Sequence, residues 1–241
     1  MGSTSLATWT GAAQLGIVSV AFPSRLTGLT IAGWFRFTSA AYQAFLSPYN
    51  SAAPTASTDV IAVDGNVVIY YGPDFPSSTV PYAPALDWVY CAVSYEQGAS
   101  PGIVNTRVRA IAGTVGSLAI VGDVGGDRTA LQSSWDTDGV IFLNDGFVEP
   151  TLAGAEIAYF RVWPDPLTDN ADLLAEAASE VAVLPSWADW PLQNGNLSDI
   201  SGNGRTIGLS GPGTLGAGLT SPPVNPPSPT TQDVSVFLTL V

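Results

Sequence analysis

"AEIAYFRVWPDPLTDNADLLAEAAS", residues 155–179, is the stretch on which the reading of the fold turns. It opens as a β-prone run, "AEIAYFRVW" (155–163). Pro164 and Pro166 stop that run, because proline fixes φ and brings no N–H to a ladder. A helix signal follows at once. Thr168 suits an N-cap, and Asp169 favours the positive end of a helix dipole. Leu173, Ala177 and Val181, with Leu174 and Ala178, form an apolar stripe at helical spacing, and Pro185 bounds the far end. The pattern predicts an amphipathic helix of roughly four turns laid on a β scaffold.

Outward from this stretch the chain reads as strands and glycine-rich turns. "LTIAGWFRF" (29–37) places Leu29, Ile31, Gly33, Phe35 and Phe37 on one face and Trp34 and Arg36 on the other. "DVIAVDGNVVIYYG" (59–72) is two β-rich runs about Asp64-Gly65-Asn66, a hairpin signal. "LDWVYCAVSYE" (86–96) is apolar on both faces, as a central strand covered on both sides would be. In "IVNTRVRAIAG" (103–113), Val104, Val108 and Ala110 are expected to face in, and Asn105, Arg107 and Arg109 out. "GSLAIVGD" (116–123) and "GVIFLND" (139–145) continue the series. Residues 187–219 return to strand and turn, with a tight turn at Gly202-Asn203-Gly204. Strands at short intervals argue for an antiparallel sandwich rather than α/β units.

Composition narrows the function classes. Of the 241 residues 46% are hydrophobic and 11% charged, so a sizeable core is expected. All seven basic residues are arginines, histidine is absent, and the formal net charge is -13. That balance repels nucleic acid and disfavours an anionic membrane surface. No apolar run reaches the roughly 18 residues that span a bilayer. The start, "MGSTSLATWTGAAQ", lacks the basic and apolar regions of a secretory signal. The single cysteine, Cys91, lies in an apolar run and reads as a buried small hydrophobe.

The order "LTIAGWFRF", "LDWVYCAVSYEQGASPGIVNTRVRAIAG" and "AEIAYFRVWPDPLTDNADLLAEAAS" resembles the concanavalin A-like lectin/glucanase superfamily, in its laminin-G-like jelly-roll branch. Trp34, Trp88, Ala92, Tyr95, Arg161, Trp163, Leu167 and Thr168 stand where that pattern places its residues. "SDISGNGR" (198–205) also resembles a segment of the family, but one that usually stands near the front. The resemblance spans roughly residues 5 to 220 and implies an all-β, antiparallel β-sandwich with one surface helix. Its motifs are structural and imply that Trp34, Trp88 and Trp163 are core aromatics.

Without histidine, a Ser-His-Asp or Cys-His site and a His-ligated zinc are excluded. "GDVGGDR" (122–128) is glycine-rich but lacks the lysine of a phosphate loop. A glycosidase needs two carboxyls across one bond. Glu156 stands alone in its strand, Glu96 and Glu149 end in loops, and a split pair, such as Asp136 or Asp138 with Glu149, stays open. Calcium is the cofactor left open: "SSWDTDG" (133–139) offers Asp136 and Asp138, and "NDG" (144–146) offers Asp145 beside Asn144. The same loops carry Trp135, and neighbouring turns carry Tyr71, Phe75 and Tyr82. Aromatic rings that stack on sugars, with Asn144 for hydroxyls, make a candidate glycan site.

The chain is expected to divide into a lectin-like jelly-roll domain (1–220), a Pro-rich linker (221–232) and a docking strand (233–241) that presents Val234, Val236, Phe237, Leu238 and Leu240. The expected function is that of a non-catalytic structural or adhesion protein, foremost a phage virion subunit, either a capsid decoration or tail-associated, with a lectin-like domain facing out. A free carbohydrate-binding lectin and a polysaccharide hydrolase are the alternatives. Expected partners are other assembly subunits met through the C-terminal segment, copies of itself in a homo-oligomer and a cell-surface glycan, with neither nucleic acid nor membrane. The expected location is a virion surface or the extracellular space.

Overall fold

The computed structural model describes residues 14–16, 28–36, 43–49, 60–64, 67–71, 78–81, 87–97, 103–129, 140–143, 156–192, 196–205, 207–210 and 222–224. Within these lie two antiparallel sheets and one helix. One sheet has seven strands in the order β13-β1-β10-β3-β4-β5-β6. They are β1 (Gln14–Gly16), β3 (Gln43–Tyr49), β4 (Val60–Asp64), β5 (Val67–Tyr71), β6 (Ser78–Pro81), β10 (Val140–Leu143) and β13 (Gly208–Ser210). The other has six, ordered β12-β11-β2-β7-β8-β9. These are β2 (Leu29–Arg36), β7 (Trp88–Gln97), β8 (Ile103–Thr114), β9 (Ser117–Thr129), β11 (Glu156–Trp163) and β12 (Ala188–Trp190). The fold is the expected jelly-roll β-sandwich with one short helix. The hairpin predicted at 64–66 joins β4 to β5, with Asp64 opposite Val67.

The centre of the six-stranded sheet, β2 and β7, is buried on both faces. On one, Ile31, Gly33 and Phe35 of β2 lie opposite Val93, Cys91 and Val89 of β7. On the other, Ala32 meets Ala92 and Trp34 meets Tyr90; the Trp34 and Tyr90 rings meet edge to face, 5.4 Å between centroids. This second face carries the helix α1 (Asn170–Ala177). Trp34, Trp88 and Trp163 are all buried in the cluster beneath it, as the family resemblance implied. Burying a large apolar side chain contributes about 1.5–3 kcal/mol, so this layer holds helix and sheet together.

A bulge in β11 sets which residues reach that layer. The register against β2 shifts between Ala158 and Arg161, and Tyr159 has a φ of 48°. Ile157 pairs with Phe35 before the shift and Val162 with Ile31 after it. Both therefore stay on the same face although their numbers differ by an odd count. The extra residue re-aims Arg161 and Trp163 to the helix side, which unbroken alternation would have denied them.

The helix is shorter than its sequence pattern suggests. It spans eight residues, about two turns, and its N-cap is Asp169, whose carboxylate accepts from Ala171 N at 2.7 Å. Thr168, expected to cap, instead offers its carbonyl to Arg107 Nη1 at 2.8 Å. Leu173 and Ala177 are buried, but Val181 lies past the helix end and is exposed. Arg109 is a second departure. It was expected to face solvent, yet it is fully buried. The reason is the strap 164–169, which crosses that face of the sheet. Arg109 donates to the carbonyl of Leu167, to Ser94 Oγ at 2.9 Å and to Asn170 Oδ1 at 3.2 Å. Thr30 and Ser94 add their buried hydroxyls: Leu167 N donates to Thr30 Oγ1 at 2.7 Å, and Ser94 Oγ donates to the Leu167 carbonyl at 3.2 Å.

Pro222 and Val224 lie in the stretch read as linker. Both are buried, and Val224 belongs to the cluster beneath the helix.

Candidate functional site

The chain leaves α1 into the segment 178–187, which runs back to β12. Four backbone N–H groups there have side-chain acceptors. Val181 N donates to Ser179 Oγ at 3.3 Å and Ala182 N to Asp189 Oδ2 at 2.9 Å. Val183 N and Leu184 N both donate to Glu176 Oε1, at 3.0 and 2.6 Å. Glu176 and Asp189 are themselves gathered by Arg161, at 3.3 Å from Oε2 and 3.1 Å from Oδ1. The same guanidinium donates to the carbonyls of Glu176 and Ser179, each at 2.8 Å. It so supplies positive charge and donors to the orphan carbonyls at the helix C-terminus. Burial pushes the Glu176 and Asp189 carboxyls above the ordinary range, against the lowering effect of their hydrogen bonds and Arg161.

The loop 198–205 faces this segment. Asp199 organises it, accepting from Asp189 N, Ser201 N, Ser201 Oγ and Arg205 N at 2.8–3.0 Å. Partial burial raises the Asp199 carboxyl, but these four bonds outweigh it and hold the group below its ordinary value. Gly202 and Gly204 have φ of 86° and 64° at the predicted tight turn. Asn203 Nδ2 donates to the carbonyls of Ser186 and Trp187, both at 3.1 Å, and the Arg205 guanidinium lies 4.5 Å from the Trp187 ring centroid. The sequence signal for this loop was "SDISGNGR", whose Asx and glycine positions are structural.

Between segment and loop lies a cleft of about 320 Å³. Its walls carry Val181, Val183, Leu184, Pro185 and Ile200, and its polar lining is Ser186, Asp189 and Ser201. Asp189 and Ser201 are committed to the bonds just given, so the cleft presents aliphatic side chains beside a polar lining of backbone and hydroxyl groups.

Of the predicted glycan residues, Tyr71 ends β5 opposite Val60. Trp135, Phe75, Tyr82 and Asn144 lie outside the described residues, as do Asp136, Asp138 and Asp145 of the calcium reading and Glu149. The docking residues Val234, Val236, Phe237, Leu238 and Leu240 lie outside them too. Glu156 starts β11 opposite Arg36, and Glu96 is exposed near the end of β7. Among the described residues no group of three or more acids and cysteines could hold a metal, and no helix is long and apolar enough to cross a membrane.

This architecture has solved counterparts. Over 93% of its length the chain is similar to a candidate carbohydrate-binding protein from Bacteroides ovatus, at 10% identity and a TM-score of 0.60, and it covers 63% of that protein. It is also similar to a heptameric SAP-like pentraxin from Limulus polyphemus, over 90% of this chain and 96% of that one, at 10% identity and a TM-score of 0.53. The chain thus spans less than two thirds of the Bacteroides protein. No protein-family model matches the chain, and no curated protein matches it in sequence. Likeness at such identities defines the fold alone, an antiparallel jelly-roll β-sandwich.

Proposed function

We propose that this chain is a non-catalytic carbohydrate-recognition module. One observation carries it: nearly the whole chain is similar to a candidate carbohydrate-binding protein of the same fold. The described framework supports this in its chemistry. Arg161, Glu176 and Asp189 satisfy one another, and Trp34, Trp88, Trp163 and Trp190 are buried. Recognition then falls to turns at the rim, where the sequence puts Trp135, Tyr71, Phe75, Tyr82 and Asn144, with Asp136, Asp138 and Asp145 as calcium ligands. The test is a glycan array probed with the full chain, with calcium and with a chelator. Saturable binding that Trp135→Ala abolishes supports the assignment; an array without any bound glycan counts against it.

The lysine-free composition, only 11% charged, favours a finer reading. In it the module is the outward-facing part of a larger particle, a virion surface in the first instance, and meets other subunits. Co-purification with such a particle supports that placement, and a chain that purifies only as a free monomer opposes it.

A further inference from the structure

Five large hydrophobic side chains are exposed among the described residues, and three of them, Val181 (50%), Val183 (56%) and Ile200 (48%), line the cleft beside α1. They are not loose-loop residues. The two walls are fixed from behind by Glu176, Asp189 and Asp199, which take the backbone N–H groups of residues 182, 183, 184, 189, 201 and 205. A cleft so braced, with aliphatic side chains beside a polar lining, fits an extended segment that brings both apolar side chains and backbone hydrogen-bonding groups. Its volume, about 320 Å³, is at the lower end of what binding pockets enclose. A few aliphatic side chains of an extended segment would fill it.

The chain carries such a segment. In "DVSVFLTLV" (233–241), Val234, Val236, Leu238 and Leu240 recur at a period of two, so an extended backbone presents them on one edge. The last described residue is Val224. It is 8% exposed and belongs to the cluster against which Leu184 of the cleft wall packs. The nine residues 225–233, three of them proline, reach at most about 28 Å as a polyproline-type tether. A tether of that length keeps the segment at a high effective concentration over its own domain. A second copy, by contrast, approaches against a formal charge of -13 on each chain.

We propose that residues 233–241 of the same chain dock in this cleft, setting the Val234, Val236 and Leu238 edge against Val181, Val183 and Ile200. The cleft is then an intramolecular receptor for the tail, separate from glycan recognition at the rim. Loss of glycan binding would leave this assignment untouched.

Disulfide trapping in the full chain tests it. The native thiol, Cys91, is buried and burial pushes it well above its ordinary pKa, so it stays silent. Val183→Cys combined with Val236→Cys, oxidised with glutathione disulfide and mapped by mass spectrometry, is expected to give an intramolecular 183–236 link in monomeric protein. Val121→Cys with Val236→Cys, which puts the first thiol on exposed β9 instead, is expected to stay unlinked. Disulfide-linked dimers through 183 and 236 would make a second copy the occupant and overturn the same-chain assignment. No link, or equal linking of the control, would overturn docking in the cleft. Ile200→Cys with Leu238→Cys repeats the test should the first pair disturb folding.

Discussion

The Arg161 guanidinium lies 3.3 Å from the Glu176 carboxylate, with neither side chain exposed to solvent. Together with Asp189 this pair ties β11 to the helix C-terminus, to β12 and to the segment that walls the cleft. Removing one member of a buried charge pair leaves the others desolvated and unpaired, at a cost of about 3–5 kcal/mol. Arg161→Met is expected to lose stability of that order in urea unfolding. Glu176→Ala is expected, in addition, to speed hydrogen exchange at Val183 and Leu184, whose N–H groups lose their acceptor. Unchanged exchange at those two amides would show that Glu176 does not hold the segment.

Trp34 joins sheet to helix by one directed bond, Nε1 to the Ala177 carbonyl at 3.0 Å. Trp34→Phe keeps a ring in the layer but deprives that carbonyl of its donor. A buried polar group left unsatisfied costs about 1–3 kcal/mol, and the expected loss is in that range. A midpoint within error of wild type would place the joint elsewhere.

Asp199 gives a pH signature. Its carboxyl is held below the ordinary value in the folded chain, so folding is favoured where the group is ionised in both states. That contribution is complete above the unfolded value of about 4 and is lost as pH falls through the folded one. The stability gap between wild type and Asp199→Asn is therefore expected to be constant at neutral pH and to close on acidification below about 4. Glu176 and Asp189 run the other way, since burial raises both. Their ionisation opposes folding above the folded pKa, and acidification relieves it. A gap that widens in acid would contradict the assignment of Asp199.

Gly113, with φ of 140°, closes the β8–β9 hairpin so tightly that a Cβ there would overlap the Ser117 carbonyl. Gly113→Ala combines that overlap with a backbone conformation costing about 1–3 kcal/mol for other residues. A lowered melting temperature is expected, while Gly116→Ala at the same turn meets no neighbouring atom and retains only the positive-φ cost. Equal effects would mean that the overlap is relieved without cost.

Much of the framework was legible because period-two patterning survives wherever a strand is straight. β2 was placed with its two faces correct and β7 as a strand covered on both sides, and Pro164 with Pro166 marked the change from strand to strap. Arg161, Arg109 and Val181 were not legible in that way. The bulge at Tyr159 inverts the facing of everything after it, and nothing in "EIAYFRVW" announces it. Arg109 alternates outward faithfully, but the strap that covers it arrives from 58 residues further along the chain. Val181 continues a helical stripe that stops because Glu176 captures the amides of Val183 and Leu184, a tertiary event. At the site, the loop 198–205 was visible as a motif, whereas its facing wall was visible only as helix. Rim aromatics and acids were named from residue type alone, since sugar stacking and calcium ligation have compositional signatures but no required spacing.

Recognition without catalysis is tested most directly by passing the full chain over immobilised polysaccharides and assaying the same polymers for released reducing ends. Saturable retention on at least one polymer, with no reducing ends released, is the expected result. Turnover that Glu149→Gln or Asp138→Asn removes, or failure to bind every polymer with and without calcium, would contradict it.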